Sequence, residues 1–204
     1  MLTAALKLIL KTSCYRHLFV SALTAALVMP AIAADSSELY LGISRATPGE
    51  ARLAYGPTTT ISNNNSPMAF KVYGGLSINR EWAVELGYGA FGSWRFTDPT
   101  PGSHDAASVS SRAATVAARY TLDLGDSFAA FGKLGLAANR FRYRDNLGQS
   151  AGGSFVRPMW GIGVELKLGD HLSAPLEFEY LGAGHTSFGE YRQQKLEFGL
   201  RYKF

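Results

Sequence analysis

His185-Thr186-Ser187 places a histidine two residues before a serine, the pairing of base and nucleophile that a serine esterase requires. It follows Gly184 in a glycine-rich stretch, and no carboxylate is placed to orient the imidazole, so a surface loop is the better reading. Gly87-Tyr88-Gly89-Ala90-Phe91-Gly92 spells a dinucleotide-binding fingerprint. It lies inside a run with strand periodicity and no helix follows it, so the helix N-terminus that would hold a pyrophosphate is missing. Beyond residue 34 the histidines are His104, His171 and His185, one at a tight turn and two in long connections at the other mouth, unable to share a metal. The expectation is no catalytic residue, no metal and no cofactor.

Charged side chains say more. Nine arginines, Arg45, Arg52, Arg95, Arg112, Arg140, Arg142, Arg144, Arg157 and Arg192, fall in or beside long polar connections. Guanidinium forks bind phosphate through two parallel hydrogen bonds, which makes Arg140, Arg142, Arg144 and Arg157 candidate contacts for lipopolysaccharide or another anionic ligand. A solvated basic face is the plainer alternative.

The elements that must position these groups are strands. Leu39, Leu41 and Ile43 alternate with Tyr40, Gly42 and Ser44, and the same period of two recurs over residues 70–78, 82–91, 114–123, 128–137, 160–167, 176–180 and 195–204. Tight turns fall near Asn79-Arg80, Gly125-Asp126 and Gly169-Asp170, whereas residues 46–67, 96–110, 141–156 and 182–192 form long polar connections. Short turns at one end and long loops at the other describe an all-β, eight-stranded antiparallel up-and-down barrel. Alternation alone does not say which face is outside. The charged face is too rich in glycine and alanine for a solvated exterior but suits a narrow interior, and aromatics near the ends of the apolar stripes suit a membrane interface. A transmembrane barrel with periplasmic turns and extracellular loops is therefore expected, ahead of a secreted soluble barrel.

The N-terminus fits that destination. Residues 1–17 are basic, residues 18–33 form an apolar run broken by Pro30, and Ala31-Ile32-Ala33 supplies a small-residue cleavage site. Residues 1–34 thus read as a cleaved signal peptide and residues 35–204 as one barrel domain. Without Lys7, Lys11 and Arg16, Lys plus Arg falls from 20 to 17 against 16 acids, so the formal charge drops from +4 to +1 and a nucleic-acid partner loses its basis. Cys14 is the only cysteine, so the exported part has no disulfide.

Inside the barrel, the hairpin around Asp126 sets Arg119 opposite Lys133, two cations that require acids beside them. Glu85, Glu165 and Glu177 lie at similar heights on the inward parity and complete an expected lumen ion-pair network. It could act as a static plug or as a gate for small ions.

At these residues the chain resembles the transmembrane domain of the OmpA family and related small surface antigens. The stretches that carry the resemblance are Tyr73-Gly74-Gly75, Glu85-Leu86-Gly87-Tyr88, Gly132-Lys133-Leu134-Gly135, Gly161-Ile162-Gly163-Val164-Glu165, Leu176-Glu177-Phe178 and Gly184-His185-Thr186. Each is short; their order across all eight strands is the stronger signal. The ending, with Gly199, Tyr202 and Phe204, resembles the assembly signal of bacterial outer-membrane proteins. The resemblance implies the lumen network, with Pro175 standing where the family usually has an arginine, and it covers the barrel without the peptidoglycan-binding domain of full-length members. It also implies a multi-pass protein of the bacterial outer membrane with no enzymatic activity. Expected partners are outer-membrane lipid, lipopolysaccharide, the assembly machinery and host surface ligands, with a monomer as the unit. The expected role is envelope integrity, adhesion or surface binding through the loops. The alternatives are a lipid A-modifying serine esterase, since lipid A deacylases are barrels with a His-x-Ser arrangement, and a small ion channel.

Overall fold

The computed structural model describes residues 38–47, 50–55, 58–61, 69–97, 106–144, 150–186 and 189–204. The expected signal peptide and cleavage site lie outside the described residues.

Ten strands run in chain order: β1 (Leu39–Ala46), β2 (Glu50–Tyr55), β3 (Thr58–Ile61), β4 (Ala69–Ser77), β5 (Trp82–Thr97), β6 (Ala106–Asp123), β7 (Phe128–Arg144), β8 (Ser150–Lys167), β9 (Leu172–Thr186) and β10 (Gly189–Lys203). Each of β1 and β4 to β10 pairs antiparallel with the next in that series, and β1 closes on β10 from Tyr40↔Lys203 to Ala46↔Glu197, giving a closed eight-stranded barrel. Closure leaves the turn-end part of the wall without a free sheet edge, the condition for crossing hydrocarbon with strands.

The stretch 46–67, expected as a loop, contains the β2–β3 hairpin, which pairs onto the start of β10 from Gly189↔Leu53 to Arg192↔Glu50. The other long connections are shorter than expected, because β5, β6, β7, β8, β9 and β10 all extend into them. These outer strand segments lack the apolar stripe that lipid imposes lower down, so periodicity fades while the backbone ladder continues.

At the opposite end the three tight turns share one construction. Ile78 N–H donates to Trp82 O, Leu124 N–H to Phe128 O and Leu168 N–H to Leu172 O. Asn79 Oδ1 caps the first turn by accepting from the backbone N–H groups of Glu81 and Trp82, and Gly125 takes φ +116° in the second, where a side chain would be strained.

The wall follows the period of two. Leu41, Ile43, Val72, Leu86, Val116, Leu134, Leu136, Ile162, Val164, Leu196 and Phe198 face outward and are exposed, while Tyr40, Ser44, Lys71, Glu85, Arg119, Lys133 and Glu165 are buried inside. Trp82 packs on Tyr120 near the turn end (ring centroids 5.0 Å apart), and Trp160 packs on Tyr180 farther up (5.9 Å). The inward glycines make room for rings: Tyr73 lies over Gly42, its cross-strand partner, Tyr40 over Gly75, and Phe131 over Gly163. In a barrel this narrow a Cβ at these positions would meet the ring.

One seam is incomplete. The pairing of β8 with β9 ends at Trp160↔Tyr180, although β8 continues along β7 and β9 along β10. Pro158, which has no N–H, and Gly182, at φ +97°, stand beside each other where the ladder stops. Side chains replace the lost ladder there: Arg157 Nε donates to Ala183 O (3.0 Å) and Asn139 Nδ2 to Leu181 O (3.0 Å).

Candidate functional site

The lumen is lined with buried charges. Arg119 and Lys133 are cross-strand partners on β6 and β7, both at least 97% buried, and carboxylates surround them. Lys133 Nζ donates to Glu85 Oε1 (2.6 Å) and Glu177 Oε2 (2.7 Å); the Arg119 guanidinium pairs with Glu165 and lies 3.8 Å from Glu85 Oε2. Tyr40 Oη also donates to Glu85 (3.1 Å), and the Arg119 guanidinium lies 3.8 Å from the centre of the Phe131 ring. The structure thus brings Glu85, Arg119, Lys133, Glu165 and Glu177 into one cluster.

A second cluster, not expected from the sequence, joins it on β4, β9 and β10. Lys71 Nζ bonds Glu179 Oε1 (2.8 Å) and lies 3.4 Å from Glu197 Oε2, while Lys195 pairs with Glu179 Oε2 (2.6 Å) and with Glu197. Glu177 and Glu197 are direct cross-strand partners, and each reaches a different lysine instead of facing the other bare. The sequence signal was present in the inward parity of Glu177, Glu179, Lys195 and Glu197.

Pro175 lies opposite Glu165 and brings no charge. Arg201 on β10 supplies it, with Nη2 2.5 Å from Glu165 Oε1. In the two clusters Lys71, Arg119, Lys133, Lys195 and Arg201 therefore match Glu85, Glu165, Glu177, Glu179 and Glu197 one for one. Phe91, Met159 and Leu181 pack with Ala46, Ala69, Ala113, Ala117 and Ala137 as an apolar layer inside the barrel, and Lys195 Nζ sits 3.6 Å from the centre of the Phe91 ring.

The outer wall differs. β7 carries Arg140, Arg142 and Arg144 in strand, all exposed on the same outward parity as Leu134 and Leu136, although the last two fall in the stretch expected to be a long loop. Arg140 lies directly across from Arg112 of β6. Arg157 stands apart from this row: it has the inward parity, bonds the carbonyl of Ala183 and lies over Phe155.

A closed barrel with an apolar outside and a paired, buried charge set inside is the inverse of a soluble protein and fits a bilayer. The family model for the outer membrane protein beta-barrel domain matches residues 19–204. The chain belongs to that family. This outer membrane barrel is a multi-pass protein of the bacterial outer membrane. Among solved structures it is similar to OprG of Pseudomonas aeruginosa (TM-score 0.55, 12% identity, covering 82% of this chain and 95% of that one). It is also similar to Ail, the attachment invasion locus protein of Yersinia pestis, in complex with the heparin analogue sucrose octasulfate (0.52, 14%, 82% and 97%). A third is Neisserial surface protein A (0.51, 14%, 82% and 97%). At these identities the likeness is one of fold. No curated protein matches the chain by sequence.

The esterase reading rests on His185 and Ser187. His185 is held in the ladder opposite Glu190, and Ser187 lies outside the described residues. No group of His, Cys, Asp and Glu suited to a metal occurs among the described residues.

Proposed function

We propose that this outer membrane barrel serves the cell surface and envelope through its loop end and outer wall, with a lumen that is a structural plug. The matched set of buried lysines, arginines and glutamates carries this reading. An ion crossing the barrel would have to break charge pairs in a low dielectric and pass the layer of Phe91, Met159 and Leu181. The loop end, where long connections place the extracellular side, is rich in arginine, a chemistry suited to sulfated or phosphorylated surface ligands. The heparin analogue on Ail is of that class. Residues 1–34 act as the cleaved export signal. Gly199, Tyr202 and Phe204 are the cue to the assembly machinery, so loss of Phe204, whose N–H bonds Leu39 O across the closing seam, is expected to deplete heat-modifiable protein from the outer membrane. The barrel works as a monomer.

The test pairs conductance with binding on one preparation. Purified barrel in planar bilayers is expected to give no stable conductance steps, yet to be retained on a heparin surface and released by salt. Regular conductance steps with each insertion, or no retention at low salt, would reverse the reading.

A further inference from the structure

The arginine row lies on the lipid-facing side of the wall and needs no host ligand. Arg112 and Arg140 face each other directly across β6 and β7, a like-charge pair that destabilises a sheet unless an anion bridges it. Arg142 and Arg144 continue the row, which is about 13 Å long at strand spacing, enough to meet more than one phosphate. No described carboxylate pairs with any of the four, in contrast to every cation of the two lumen clusters.

The neighbours are small. Arg142 is flanked by Ser110 on β6 and Gly152 on β8, Arg144 by Ser108 and Ser150, and Arg140 by Ser154 on its β8 side. The guanidinium groups therefore rise from a shallow trough with low hydroxyl-bearing sides. Directly below, Ala114↔Ala138, Val116↔Leu136 and Ala118↔Leu134 carry the outward apolar face toward the turns. An exposed cation row at the upper margin of an apolar belt sits where lipid headgroups lie, and each guanidinium can chelate a phosphate with two hydrogen bonds.

We infer that the β6–β7 wall is a binding site for the phosphorylated headgroup of an outer-leaflet glycolipid, with Arg112 and Arg140 chelating one phosphate between them and Arg142 and Arg144 engaging a second. The acyl chains lie along Val116, Leu134 and Leu136. Arg157 takes no part. The site goes beyond the surface-binding reading and stands or falls without it.

Native mass spectrometry of the barrel in phosphatidylcholine nanodiscs, titrated with bisphosphorylated lipid A, tests the assignment. The wild-type barrel is expected to retain lipid A, to lose it as salt rises, and to hold fully dephosphorylated lipid A more weakly by about tenfold or more. Arg112→Gln with Arg140→Gln is expected to weaken lipid A by a similar factor, whereas Arg80→Gln at the turn end leaves binding unchanged. If the double glutamine variant does not fold, Arg112→Lys with Arg140→Lys keeps the charge but removes the fork, and is expected to show the same loss. Undiminished lipid A binding by the folded double variant would overturn the site. So would equal loss in Arg80→Gln, no preference for the phosphorylated lipid, or displacement by inorganic phosphate at the lipid's own concentration.

Discussion

Inside the barrel each clustered cation reaches a glutamate within a few ångströms; on the outer wall of β6 and β7 four arginines reach none among the described residues. The two sets use the same chemical groups in opposite states. The interior is complete, so its charges fix the relative heights of strands that are far apart in sequence. The exterior set is incomplete, and its energy is available to something outside the protein. A charge that is matched within the fold is evidence for architecture, and one left unmatched at the margin of the lipid belt is evidence for a ligand.

The comparison breaks first at Arg119. Arg119→Ala leaves Glu165 with Arg201 alone and Glu85 with Lys133 alone, one buried negative charge in excess, and is expected to cost about 3–5 kcal/mol, read by urea unfolding in lipid vesicles. A loss under about 1 kcal/mol would mean that water fills the interior and screens it. Next comes packing. A Cβ at Gly163 would stand 2.5 Å from Leu176 O and meet the Phe131 ring, so Gly163→Ala is expected to destabilise by about 1–3 kcal/mol in the same assay. Gly153, exposed near the loop end, where a Cβ would meet nothing within 4 Å, provides the control with no measurable change.

A third variant separates charge from charge balance. Lys71→Met combined with Glu179→Met removes one of each sign and leaves Lys195 against Glu197, so its cost should be about 1 kcal/mol or less, well below that of Lys71→Met alone. Equal costs for the single and the double variant would show that the individual bonds matter and the balance does not. The smallest effect belongs outside. Arg140→Ala in vesicles free of anionic lipid is expected to change stability by less than about 0.5 kcal/mol, or to raise it slightly by relieving Arg112.

The membrane-facing part of this fold is legible in the sequence because lipid imposes a simple rule. Leu39, Leu41 and Ile43, or Leu196, Phe198 and Leu200, must all point outward, and a shift of one residue would bury every one of them. Where lipid ends, the rule ends. Thr58-Thr59-Thr60 carries no stripe, so the β2–β3 hairpin was hidden, and Arg142 and Arg144 read as loop although the β7 ladder includes them. Within the lumen, the height of Lys133 relative to Arg119 follows from one tight turn, which is why that cluster could be drawn. The partners of Lys71 could not: they depend on a register carried around the closing seam and past connections whose length fixes nothing. Arg201 was missed for the same reason, because its carboxylate belongs to β8 and is reached across the interior.

The sequence separations of the lumen pairs also set an order in time. Lys133 and Glu85 are 48 residues apart, Lys71 and Glu179 are 108, and Ser44 and Glu197 are 153. The β5–β6 hairpin sets Glu85 beside Arg119 and the β9–β10 hairpin sets Glu179 beside Lys195, but Lys71, Lys133 and Glu177 find their partners only on other hairpins. A half-formed sheet arriving at the bilayer would expose unpaired lysines and glutamates on the face that later becomes the interior, and hydrocarbon would reject it. Only when the last hairpin, β9–β10, swings against β1 and β4 do the remaining carboxylates meet their cations. Closing the seam between β1 and β10 is therefore what completes the charge balance of the lumen.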